Sequence, residues 1–86
     1  MKVRKKPVVV VEAIQFTGPQ SVTQMCSDWG DSFKLKSNYV DFLNQLTLKT
    51  LEGPHYVNIS DWVIRGVKGE FYNCREDIFN QTYDLV

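Results

Sequence analysis

The chain has 86 residues, 43% of them hydrophobic and 13% aromatic, with ten basic and ten acidic side chains. That is enough for a single domain over residues 1–86 burying about two-thirds of its surface, and too apolar for disorder. Zero formal net charge offers no bulk attraction for nucleic acid and excludes a carboxylate-rich DNA mimic, while the longest apolar run, Val8–Val11, is far too short to cross a membrane.

The start is basic. Lys2, Arg4, Lys5 and Lys6 crowd the N-terminus, and Glu76, Asp77 and Asp84 lie near the C-terminus. This pattern predicts a solvated basic tip lying beside the acidic end. No signal peptide is expected, because the basic start runs into a strand-like segment without a small-residue cleavage site. Residues 7–17 carry the strongest strand signal: Val8–Val11 are apolar on both faces, which suits a central strand, and Ala13, Gln15 and Thr17 alternate with Ile14 and Phe16. Glu12 has the parity of Val10 and Ile14, so it points to the apolar side unless a bulge resets the register; a bulge, a rim position and a buried functional carboxylate are the alternatives.

Gly18-Pro19 breaks the strand and opens a helix. Val22, Met25, Cys26 and Trp29 follow at i, i+3, i+4 and i+7, one apolar face, and Gly30 stands where a left-handed cap ends it. Phe33-Lys-Leu-Lys36 alternates like a strand. Tyr39, Phe42, Leu43 and Leu46 have helical spacing, although a strand also fits. Leu46–Leu51 reads as a half-buried strand, Glu52-Gly53 as a tight turn, and Tyr56–Ile59 as the returning strand. His55, just after Gly53-Pro54, is expected in an exposed loop. Trp62–Arg65, the Gly66–Gly69 turn and Glu70–Tyr72 form a hairpin, with Trp62, Ile64 and Phe71 expected in the core. Asn73 and Glu76 have capping-box spacing for a short helix carrying Ile78 and Phe79, and Tyr83–Val86 closes as a last strand. The predicted class is α+β: a small curled antiparallel sheet, partly open and barrel-like, with one main amphipathic helix packed on it.

Two distant cysteines, Cys26 and Cys74, without an export signal, predict free thiols in a reducing compartment, with Cys26 as a packing residue. One histidine and no paired cysteine spacing predict neither metal nor cofactor. A Cys-His-Asp set exists only by count, without a nucleophile elbow, P-loop or dinucleotide turn, so no catalytic residue is assigned. The candidate binding residues are Arg65, Lys68, Tyr72 and Arg75. Within one hairpin and the turn after it they supply cations beside Trp62, Phe71 and Tyr72, a combination suited to phosphate or to a protein hot spot.

The ends of the chain carry a resemblance. Met1-Lys-Val-Arg-Lys-Lys-Pro-Val-Val-Val10 with Glu12-Ala-Ile-Gln-Phe16, and Asp61-Trp-Val-Ile-Arg-Gly-Val-Lys-Gly-Glu-Phe-Tyr72 with Cys74, Asp77-Ile-Phe79 and Thr82-Tyr83, resemble a family of small, mostly uncharacterised bacteriophage and prophage proteins. Thr50-Leu-Glu-Gly53 fits that family's central turn. Ile59-Ser60 stands where such proteins tend to have Pro-Gly, and Asn73 and Glu76 replace prolines. The resemblance implies a phage origin and action in the host bacterial cytoplasm. The function expected is a non-enzymatic binding protein that neutralises a host factor in counter-defence, sequestering a nucleotide-like signal or capping a host immune protein. The alternative is a structural or assembly module without a ligand. A small domain with strand edges is also expected to form a homo-oligomer.

Overall fold

The β-branched run at the N-terminus folds into the middle of a sheet. In the computed structural model, which describes residues 1–5 and 9–85 (without the side chains of Lys5, Val9 and Leu85), β1 (Lys2–Lys5) and β2 (Val9–Gln15) pair antiparallel from Lys2↔Glu12 to Lys5↔Val9 without a bulge. Lys6, Pro7 and Val8 of the basic tip and the valine run, and Val86 of the last predicted strand, lie outside the described residues. β6 (Trp62–Arg65), β7 (Phe71–Cys74) and β8 (Tyr83–Leu85) complete a five-stranded sheet in the order β7-β6-β2-β1-β8. A second sheet, order β3-β4-β5, is built from β3 (Ser37–Val40), β4 (Gln45–Thr50) and β5 (Gly53–Val57). Every pairing is antiparallel. The α+β class holds, with the strands divided between two sheets and no closed barrel.

The basic tip is itself a strand. Val3 is fully buried, and Arg4 stands directly across from Asp84 of β8, so the basic and acidic ends do meet. That strand escaped the charge pattern because only one apolar side chain marks its inner face.

Helix α1 (Pro19–Leu35) begins with Pro19 at its first position; its N-cap Gly18 has no side chain, and the buried Ser21 hydroxyl donates to the Gly18 carbonyl at 2.6 Å. Gly30 breaks the helix at φ 62° and ψ −145° as its position predicted, yet the chain resumes helical geometry to Leu35. Phe33 therefore extends the Val22-Met25-Trp29 stripe by another turn instead of starting a strand. Residues 37–40 form β3, followed by a 3₁₀ turn at Asp41–Leu43; the strand alternative holds for Tyr39 and Leu46, while Phe42 and Leu43 lie in the turn between β3 and β4.

Opposite faces of the five-stranded sheet bury separate cores. On one face, α1 and the inner side of the second sheet enclose Phe16, Met25, Trp29, Phe33, Leu46, Leu48, Val57, Val63 and Phe71, with Cys26 packed at the margin. On the other face, Val3, Val11, Ala13 and Ile64 pack under α2 (Glu76–Thr82) and Tyr83. There Phe79 lies flat on Trp62, ring centroids 4.1 Å apart and planes 6° apart, and stacks on Tyr83 at 5.0 Å. The predicted capping box does not form. Arg75 holds the cap position of α2 without a side-chain bond, and the Glu76 carboxylate accepts from Gln15 Nε2 at 2.8 Å.

Glu12 finds its answer on the α1 face, half-buried, where its carboxylate accepts the Trp29 indole N–H at 2.9 Å. It is neither bulged nor free. The corner into β6 is tied by Asp61, whose buried carboxylate accepts the Asn58 N–H at 3.0 Å and Asn73 Nδ2 at 3.2 Å. Ser60 sits there at φ 79°, the left-handed region that glycine enters more readily.

Candidate functional site

In an antiparallel pair, residues directly opposite share a face. The β6–β7 hairpin pairs Arg65 with Phe71 and Ile64 with Tyr72. Arg65 therefore lies on the α1 face, directly opposite Glu12 of β2, whereas Tyr72 belongs to the α2 face. Lys68 is exposed in the hairpin turn, and Arg75 follows the far end of β7. Arg75 is also engaged: its guanidinium donates to the Asp77 carboxylate at 2.7 and 3.2 Å, both groups well exposed. That fork raises the Arg75 pKa and lowers that of Asp77. The structure does not gather the four sequence-selected residues into one site.

Tyr72 instead joins a different set. The β4–β5 hairpin lies against β7, and between them opens a cavity of about 520 Å³. Lys36, Lys49, His55 and Tyr72 line it together with Glu52, Glu70 and Phe71. His55 is a correction to the sequence reading. β5 begins at Gly53, not Tyr56, so His55 is a half-buried strand residue paired with Leu48 and on the inner face of its sheet. The signal was present as the period-2 series Gly53, His55, Val57, but Gly53-Pro54 reads more strongly as a turn.

The rim is held from several directions. Lys36 Nζ donates to the Gly69 carbonyl at 3.2 Å, which ties the end of α1 to the tip of the β6–β7 hairpin. The Lys49 N–H donates to the Lys36 carbonyl at 2.8 Å. In the turn, Thr50 Oγ1 donates to the Gly53 carbonyl at 2.7 Å and accepts the Glu52 N–H at 3.2 Å. The Glu70 side chain lies over Gly66, where a Cβ would collide with its carboxylate.

Tyr72 is neutral in this setting. Its burial, and a hydroxyl contact with Tyr83 at 3.3 Å, hold the phenol far above its ordinary pKa. With its hydroxyl against Tyr83, what the half-buried Tyr72 leaves at the edge of β7 is part of its ring face. Two ammonium groups supply positive charge, His55 an imidazole, and Glu52 and Glu70 acceptors for hydroxyl or amine donors. The Cys74 thiol is pushed up by burial and by the nearby carboxylates of Asp61 and Asp77, the opposite of an activated nucleophile. Both cysteines are free, as expected.

Among the described residues, no His, Cys, Asp and Glu side chains gather as a metal site, and no helix is long and apolar enough to cross a membrane. No protein-family model, curated protein or solved structure matches the chain.

Proposed function

We propose that the chain is a binding protein whose ligand is a small, anionic, ring-bearing molecule of the nucleotide class, taken up in the cavity between β4–β5 and β7. The observation that carries this reading is that Lys36, Lys49, His55 and Tyr72 all border one concavity of about 520 Å³, within the range of small-molecule sites, His55 from the inner face of its sheet and Lys49 and Tyr72 from the edges. Lys36 and Lys49 suit a phosphate, and His55 adds a ring N–H donor. Phe71 is spent in the core against Trp29 and Phe33, so Tyr72, half-buried on the edge strand β7, is the ring left for stacking on a base. Glu52 and Glu70 suit ribose hydroxyls or a base amine, and they disfavour a bare polyanion by repulsion. Tyr72 keeps the binding role read from the sequence, and the cations of that role move from Arg65, Lys68 and Arg75 to Lys36 and Lys49. With the resemblance to phage proteins, the action proposed is sequestration of a host nucleotide signal in the bacterial cytoplasm, without turnover. The raised Cys74 thiol supports a non-catalytic reading.

The test is calorimetric titration of the purified chain with mononucleotides, cyclic dinucleotides and inorganic phosphate. Lys49→Ala and His55→Ala should each weaken nucleotide binding by about 1.5–3 kcal/mol, one to two decades of affinity, as for hydrogen bonds to a charged group. Absence of nucleotide binding at millimolar ligand, or unchanged binding by both variants, refutes the reading.

A further inference from the structure

At the end of the second sheet away from this cavity lies an uncharged groove of about 390 Å³. Its floor is the buried pair Phe16 and Val57, and its rim is Leu43, Tyr56 and Ile59, each more than half exposed. The rest of its lining is amide side chains, and no lining residue carries charge. Beside it the Asp41–Leu43 turn presents Phe42, 88% exposed. The turn is braced: Asn44 takes the left-handed conformation at φ 47°, its N–H donates to the Asp41 carbonyl at 3.0 Å, and its Oδ1 accepts the Tyr39 hydroxyl at 2.8 Å. Phe42 is thus an apolar knob held on a fixed backbone next to an apolar hole.

We propose that a second copy of this chain docks on this face about a two-fold axis, each copy's Phe42 entering the other's groove. Three arguments favour a copy of itself as the occupant. A two-fold contact sets groups near the axis against their own copies, so a charged face repels itself and an uncharged one does not. Asp61 is buried behind Asn58, whose N–H its carboxylate accepts, and the exposed Asp41 starts the adjoining turn, on the side of the polar rim that such contacts have. The area also suffices. At about 150–250 Å² for a whole aromatic side chain, the exposed parts of Phe42, Leu43, Tyr56 and Ile59 come to about 500 Å² per copy. Two copies bury about 1,000 Å² from these four residues alone, the threshold for a biological contact and the size of a weak one. Finally, the outer strands β3, β5, β7 and β8 have only four, five, four and three residues, so the edge pairing expected from the sequence has a short ladder to extend. The dimer does not depend on the ligand reading, since the groove and the cavity share no lining residue.

Light scattering coupled to size exclusion, run at tens to hundreds of micromolar, tests this. The wild type should show twice the 10.0 kDa chain mass. Phe42→Asp and Ile59→Asp should raise the dimer dissociation constant at least thirtyfold while far-UV circular dichroism stays native. Phe42→Ser, a milder change at the same exposed site, should raise it at least tenfold, and Leu51→Asp, in the turn at the other end of the sheet, should leave it unchanged. A wild-type monomer throughout this range overturns the proposal and leaves the groove to a different partner. A dimer indifferent to both Phe42→Asp and Ile59→Asp overturns it too.

Discussion

The hydrogen bond from the Trp29 indole to Glu12 links helix to sheet across the larger core, and its worth is open to measurement. Trp29 is 5% exposed, with its ring 5.2 Å from Phe71 and 5.6 Å from Phe33. Trp29→Phe keeps an aromatic ring there but removes the N–H and some volume, leaving a half-buried carboxylate without that donor. A hydrogen bond to a charged group contributes about 1.5–3 kcal/mol, and the partial exposure of Glu12 places this one toward the lower end. Adding the loss of packed volume, Trp29→Phe should cost about 2–4 kcal/mol. That is a large share of the roughly 4–13 kcal/mol expected for a domain of this length. Glu12→Ala and the double variant complete a cycle whose coupling should be about 1–2 kcal/mol. The assay is urea unfolding followed by far-UV circular dichroism, with equal slopes required across the four proteins. A coupling below about 0.3 kcal/mol, the ordinary error of additivity, would refute the claim that this bond fastens α1 to β2.

Two more predictions follow from the same geometry. Gly30→Ala should destabilise by about 1–3 kcal/mol in thermal or urea unfolding, for a conformational reason alone: a Cβ there meets nothing within 4 Å, but φ 62° with ψ −145° is a glycine conformation. A neutral or stabilising result would mean that the two helical segments do not break at that residue. Arg75→Ala should leave both melting temperature and nucleotide affinity unchanged in a titration where His55→Ala binds weakly, because Arg75 is paired with Asp77 and lines no part of the cavity. Loss of affinity in Arg75→Ala would restore the hairpin residues to the site.

The sequence alone determined the elements whose apolar residues repeat at one period. Val22-Met25-Cys26-Trp29 specifies a helix face, and Leu46-Thr-Leu-Lys-Thr50 a half-buried strand, because 3.6 and 2.0 are fixed by backbone geometry and need no partner; Leu51, predicted in that strand, breaks the alternation and lies exposed in the turn. Signals that a local feature masks were lost: β1 behind its cations, His55 behind a Gly-Pro turn, and Phe33 beyond a helix-breaking glycine. The site was legible only in part, since its members come from the end of α1, the β4–β5 hairpin and β7, and no spacing links them. Tertiary structure also decided which residues share a face. Arg65 and Tyr72 are seven positions apart in one hairpin, yet the 65↔71 and 64↔72 register sends them to opposite cores. A one-residue slip would reunite them, and the register that forbids it is held by burying Phe71 against Trp29 and Phe33 on one side and Ile64 with the α2 core on the other.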